Sequence, residues 1–330
     1  MKSLLAWLVS SWFLVGIIVA LVTAAAAPLV GSHGGPLALG AWNDALFVLM
    51  FLASGVALRT AELGSALGHW RLHLVTQGFN LGLTPLLGLL IDPLLAWCGV
   101  GESLRFGVLV MLCMPMTISS CVLITRLAGG SEAAALTQAT LGGILGIVLT
   151  PLWLLLLIGS RADIEPGRAI LHLSLIVVLP VLAGQALQRW TPGIVRWKPV
   201  LNQLSTVALL LNLYQAFCLS FSQPEVHVGW SLLGLAAAMG ATHLTLLAAA
   251  ALIAQWSWWR LDRGERIAVA FCASHKTVAL GIPLLGVLFH NRSDIGVIAL
   301  PLVAFHLTEN LLDGAIATRL RRSREPHLVG

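Results

Sequence analysis

Residues 266–290 read RIAVAFCASHKTVALGIPLLGVLFH, an apolar run long enough to cross a bilayer, which takes about 20 residues at roughly 1.5 Å each. Its middle is Ser274, His275, Lys276 and Thr277. Insertion scales make a lysine at the centre of a span unfavourable by about 2.5–3.5 kcal/mol. A chain that keeps one there supplies an ionic partner, a water-filled cavity or unwound backbone around it. In one reading the span tilts and Lys276 snorkels to the interface. The run Val278–Leu288, broken only by Pro283, separates Lys276 from the nearer charged end and favours the other reading, a buried polar site within the membrane.

Composition sets the class. Hydrophobic residues make up 58% of the 330 and charged residues 10%, against about 25% charged in a soluble domain. The expected fold is an all-α polytopic membrane protein, one integral domain over residues 1–330. At about 30 residues per span with its loop, that length accommodates about ten spans. The five cysteines have no CxxC spacing and indicate neither disulfides nor zinc. The net charge of +5 comes from basic residues in short loops, a sign of topology and not of a nucleic-acid partner. No phosphate-cradling loop, metal-ligand cluster or paired nucleophile and base is present, so no cofactor and no enzyme activity are expected.

Leu4–Ala26 is longer than the 7–15 residues typical of a signal core and reads as the first span. The third span, Leu72–Leu95, is interrupted by Gln77, Asn80 and Pro85. The fourth, Arg105–Leu127, contains MPMTISSC (Met114–Cys121), where Pro115 removes a backbone donor while Thr117, Ser119 and Ser120 supply hydroxyls. Unwinding is expected near Ser119–Cys121, and in the ninth span near Ala273–Lys276. The fifth span follows the tight link AGGSE and carries Thr137 and Gln138; the eighth carries His243; the tenth, Ile295–Ala317, carries His306, Glu309 and Asp313.

Ten spans put both termini on one side of the membrane. Apart from Lys276, only Arg105, Arg161, Arg168 and Arg292 lie in odd-numbered loops; all other lysines and arginines lie at the termini or in even-numbered loops. The positive-inside rule then makes both termini cytoplasmic, in the plasma (cell inner) membrane. The polar loop Arg161–Arg168 divides the chain nearly in half. Five spans per half force opposite orientations, the arithmetic of two inverted five-helix repeats, about 1–160 and 161–318, followed by a basic tail 319–330. The two most polar interruptions then share the fourth position of each repeat, where broken helices mark a transporter's midplane site. Two unrelated kinks, common in membrane helices, are the alternative.

The stretches MPMTISSCVLITRLAGGSEAAALTQATLGGILGIVLTPLWL and AVAFCASHKTVALGIPLLGVLF resemble the crossover regions of the bile acid/sodium symporter family (solute carrier family 10), in particular its sodium/bile acid cotransporter 7-like branch. The resemblance runs through the whole chain in span order. It implies a panel domain of spans one, two, six and seven, a core domain of the remainder with crossed, discontinuous fourth and ninth helices, and substrate passing between the two. It also exposes departures. A Ser-Asn pair of the better-studied symporters falls on Ser120 and Cys121, and a thiol is a poor ligand for a hard cation. The Glu and Gln that bind sodium in those symporters fall on Cys272 and Lys276, and their third-span Gln falls on Asn80. Thr137 and Gln138 are further candidates.

A fixed ammonium can stand in electrostatically for a bound sodium. Lys276 lies 16 residues before Arg292 and Glu309 lies 17 after it, so an antiparallel pair of spans brings both to one depth. An intramembrane ion pair is one outcome; the other places Glu309 and Asp313 near the cytoplasmic end with Arg319 as partner. The candidate substrate- and ion-binding set is Asn80, Thr117, Ser119, Ser120, Cys121, Thr137, Gln138, His243, Ser274, His275, Lys276, Thr277 and Glu309. Sodium coupling is in doubt, and proton coupling through His243, His275, Lys276 or Glu309 is open because each can titrate when its environment shifts it. The expected activity is secondary active transport of a small organic anion or related solute by alternating access. A non-transporting membrane regulator of ion homeostasis is the competing class, and an intramembrane enzyme a third.

Overall fold

The computed structural model describes residues 12–32, 35–37, 39–57, 69–159, 167, 171–172, 174–222, 231–289 and 292–322. Leu4–Ser11, most of the Arg161–Arg168 loop, Lys2 and Arg59 therefore lie outside the described residues. Every regular element among the described residues is helical. A helix meets the demand of lipid, which offers no hydrogen-bond partners, by pairing the backbone N–H and C=O groups within one segment.

The helices are α1 (Trp12–Ala26), α2 (Asn43–Ala57), α3 (Trp70–Gln77), α4 (Thr84–Trp97), α5 (Glu102–Cys113), α6 (Ile118–Leu127), α7 (Glu132–Leu157), α8 (Leu179–Trp190), α9 (Lys198–Phe221), α10 (Ser231–Ala254), α11 (Arg263–Ser274), α12 (Val278–Leu288) and α13 (Ile295–Arg322). Among the described residues, seven segments are long and apolar enough to cross a membrane, and α5 with α6 forms a further pair bent by 65°. Val15–Ala26 and Ser174–Trp190 are shorter apolar helices.

The interruptions fall close to their expected places and take specific forms. Gln77 and Asn80 do not break the third span: α3 continues into α4 through a π-helical turn, Gly78–Leu83. Pro85 follows that turn inside the continuous span Trp70–Trp97; its missing N–H deprives the Leu81 carbonyl of a helical donor, and Trp153 Nε1 donates to that carbonyl instead at 2.8 Å. In the fourth span the break comes at 114–117 instead of 119–121. Pro115 explains the shift. The residue before a proline is driven out of helical geometry, and Met114 has ψ 143°; Ser119, Ser120 and Cys121 are then free to open the next helix. In the ninth span the extended stretch is 275–277, so Ala273 and Ser274 still belong to α11. The last helix runs past the expected end at Ala317 to Arg322, there being no glycine or proline to stop it and arginines suiting a helix C-terminus.

Two compact units result. The first contains α1, α2, α8, α9 and residues 282–300. Its α2 and α8 cross with backbones nearly touching: a Cβ on Gly55 would strike the Val181 carbonyl, and one on Gly184 the Leu52 carbonyl, the small-residue packing by which membrane helices associate. Gln185 and Gln188 of α8 donate to the carbonyls of Gly55 and Val56. The Asn212 amide of α9 donates to Ala208 O of its own helix at 2.9 Å and to Met50 Sδ of α2 at 3.9 Å.

The second unit contains α3 to α7, α10, α11, residues 278–281 and α13 from Pro301. Its core near one end is Ile124, Ala128, Leu247, Ala270, Phe271 and Ala317, from α6, α10, α11 and α13. Gly129 takes φ +72° and lets the AGGS link turn tightly. Ser131 caps α7, and Asp262 with Glu265 forms a capping box on α11, so the polar ends are satisfied outside the apolar stretch.

Candidate functional site

Two broken helices of the second unit meet at their breaks. The Thr277 N–H donates to Pro115 O at 2.8 Å, and Thr117 Oγ1 donates to Lys276 O at 3.2 Å. The Asn80 amide closes the back of the junction by donating to Ala273 O at 2.9 Å and His275 O at 3.0 Å. These bonds use carbonyls that a broken helix leaves without intrahelical partners.

Because 275–277 is extended, successive side chains leave it on opposite sides. Lys276 points toward α4 and α5. Its Nζ lies 2.7 Å from Thr84 Oγ1, 2.9 Å from Asn80 O and 3.0 Å from both Leu112 O and Met114 O. It is fully buried. Three backbone carbonyls and a hydroxyl thus surround one ammonium, a set of neutral oxygens of the kind a hard cation takes. Two of the carbonyls belong to the C-terminal end of α5, where the helix dipole is negative. Thr84, one turn after Asn80 on the same face, also donates to Leu112 O at 2.9 Å; sequence reading passed over it, although the i, i+4 relation to Asn80 was the available signal.

His275 points the other way, into α10 and α13. Its Nε2 is 2.6 Å from Asp313 Oδ2, whose Oδ1 is 2.8 Å from His243 Nε2. Glu309 accepts the Lys276 backbone N–H on Oε2 at 3.0 Å and faces His306 Nδ1 with Oε1 at 2.7 Å. Lys276 and Glu309 do share one depth, but the contact runs through the Lys276 main chain and the ammonium turns away. Asp313 serves two imidazoles, and Arg319 is not its partner. All five of these acids and imidazoles are buried, and a cluster of ionisable groups at such depth is a functional hypothesis by default.

The remaining candidates separate. Ser120 donates to Asn310 Oδ1 at 3.0 Å, and Asn310 in turn reaches His306. Cys121 is buried beside Cys272, close to Glu309 and Asp313. Ser119 is exposed on the first turn of α6. Ser274 bonds back to Ala270 O, and Thr277 Oγ1 accepts from the Ala279 N–H; both serve helix ends. Gln138 joins Gln77 and His73 in a second polar group, at 2.9 Å (Gln77 Nε2 to Gln138 O) and 2.7 Å (to His73 Nδ1), apart from the ammonium cage. Thr137 is half-buried and takes no part in the cage. Sequence reading saw His306 and Asp313 on the tenth span but did not place them among the site residues.

The profile of the SBF-like CPA transporter family matches residues 11–322. Sodium/bile acid cotransporter 7 of Danio rerio is 33% identical over 94% of this chain and 93% of its own length, and that of Mus musculus is 34% identical over 94% and 92%. An uncharacterized protein of Pseudomonas aeruginosa is 35% identical over 84% of this chain and 83% of its own. A transporter profile spanning nearly the whole chain, on apolar helices broken around a buried ammonium, gives one conclusion: the chain belongs to the SBF-like CPA transporter family and is an integral membrane transporter of the bile acid/sodium symporter type, not an enzyme.

Proposed function

We propose that this protein is a secondary active transporter of a small organic anion, bile acids among the candidates, in which Lys276 does the work of a bound sodium ion. The observation that carries the reading is the ammonium itself, held by four oxygens at 2.7–3.0 Å where the symporters that this chain resembles would place a free cation. A tethered ion cannot be exchanged across the membrane, so this cage does not draw on a sodium gradient.

The proposed architecture is ten spans in two inverted repeats with both termini cytoplasmic in the cell inner membrane. Seven long apolar helices, one bent pair and two shorter apolar helices support that count. The first unit collects spans one, two, six and seven, and the second most of the rest, which supports a panel and a core domain. The breaks at 114–117 and 275–277 fall in the fourth and ninth spans of that count, which supports the repeat. The proposed binding set centres on Asn80, Thr117, Lys276, Thr277 and Glu309, with Ser120, Cys121, His243 and His275 beside it.

The test is uptake into proteoliposomes against a panel of labelled organic anions, bile acids included, with and without a sodium gradient and a pH gradient. The expected result is uptake indifferent to sodium and responsive to pH, impaired or shifted in pH dependence by Lys276→Gln far more than by Lys198→Gln at the start of α9. Steep sodium-driven uptake together with wild-type behaviour of Lys276→Gln overturns the reading and points to Asn80, Ser120 and Gln138 as sodium ligands.

A further inference from the structure

His275 is the one imidazole of the buried cluster with a carboxylate at each nitrogen. Nε2 lies 2.6 Å from Asp313 Oδ2, and Nδ1 lies 3.8 Å from Glu309 Oε1 with no hydrogen-bond partner. A neutral imidazole carries one proton and one lone pair. With the proton directed at Asp313, the lone pair of Nδ1 faces a carboxylate oxygen where both residues are fully buried. Its two neighbours have no such conflict. His306 donates from Nδ1 to Glu309 while its Nε2 faces the Asn310 amide N–H₂ at 3.5 Å, which a neutral ring satisfies. His243 donates from Nε2 to Asp313, and its Nδ1 meets no polar group; its ring packs edge-on against Phe305 at 5.4 Å.

Charge balance points to the same nitrogen. The ionisable groups on the elements around His275 are His243 of α10, Cys272 and Lys276 of α11 and its extended continuation, Cys121 of α6, and His306, Glu309 and Asp313 of α13. With thiols neutral, two carboxylates against one ammonium leave a net negative charge buried in the membrane, which is costly. One additional proton removes it. We infer that the His275 ring is a proton-binding site, holding a second, exchangeable proton on Nδ1 between Asp313 and Glu309. Asn310 and Ser120, both half-buried, extend the hydrogen-bonded contacts of the cluster from His306 outward. On the transporter reading above, on which this consequence rests, the His275 proton is the coupling ion that the tethered Lys276 leaves unfilled.

The test needs no solute. The full chain, purified in lipid nanodiscs with 15N-labelled histidine, is expected to show a buried ring at neutral pH with both nitrogens protonated, assigned by its loss in His275→Gln and retention in His306→Gln. Because His275→Gln can fail to fold, a second measurement uses charge alone. Lys276→Met is expected to lower the unfolding midpoint, and Lys276→Met/Asp313→Asn to recover part of that loss, since the amide that replaces the carboxylate can donate to a His243 ring that switches tautomer without losing a partner. A singly protonated His275, whatever the double variant does, overturns the inference. A doubly protonated His275 in a protein whose uptake ignores the pH gradient leaves the proton site standing and overturns its role as coupling ion.

Discussion

Asn80→Leu is the most informative single change to the junction. The substitution preserves side-chain bulk and removes the two donors that hold Ala273 O at 2.9 Å and His275 O at 3.0 Å. Both carbonyls stay buried behind the ammonium cage. A buried acceptor left without its partner costs about 1–3 kcal/mol, so two give about 2–6 kcal/mol. With an unfolding entropy of about 2.1 cal/mol/K per residue over 330 residues, that is a fall in midpoint of about 3–9 °C. The assay is thermal unfolding of the purified protein in detergent, followed by loss of the monodisperse peak. Ser119→Ala, on an exposed position of α6, is the control and should change stability by less than about 0.5 kcal/mol. An Asn80→Leu protein that unfolds within about 1 °C of the wild type would show that the amide does not hold the broken helix.

Three further outcomes follow from the same structure. Thr84→Val, nearly isosteric, removes one oxygen from around Lys276 and a donor to Leu112 O, and should cost about 1–3 kcal/mol in the same assay. Gly184→Ala in the first unit drives a methyl group into the Leu52 carbonyl and should destabilise by about 1–3 kcal/mol; wild-type stability would mean that α2 and α8 do not cross there. Asp262→Ala removes the capping box at the polar start of α11 and should cost about 0.5–2 kcal/mol, while Asp262→Ser recovers most of it.

Sequence made the polar interruptions legible because the membrane penalises them. Lys276 stands out in an apolar run for its desolvation cost, and Pro115 for its missing donor. The depth relation of Lys276 and Glu309 was also readable, since it needs only residue counting along antiparallel helices. Side-chain direction was not. Counting assumes a helix through 275–277, and the extended backbone there, with His275 at ψ 150°, sends His275 toward the acids and Lys276 away from them. The oxygens that receive the ammonium were equally hidden, because the carbonyls of Asn80, Leu112 and Met114 are features of every residue and acquire meaning only where a helix stops. The surroundings of Gln138 were hidden for a related reason: its polarity was visible, but not that Gln77 and His73 would be its partners.

The central claim is that the Lys276 ammonium occupies a cation cage. Vacating the cage tests it most directly. Unfolding midpoints of the wild type and Lys276→Ala are measured in sodium chloride and in choline chloride at equal ionic strength, any ion that binds only the folded protein being stabilising. The expected result is a wild-type midpoint that is the same in both salts and a Lys276→Ala midpoint that is lowered in choline and raised by sodium, the free ion taking the place of the ammonium among the four oxygens. A wild type stabilised by sodium, with Lys276→Ala responding to sodium no differently, would contradict it.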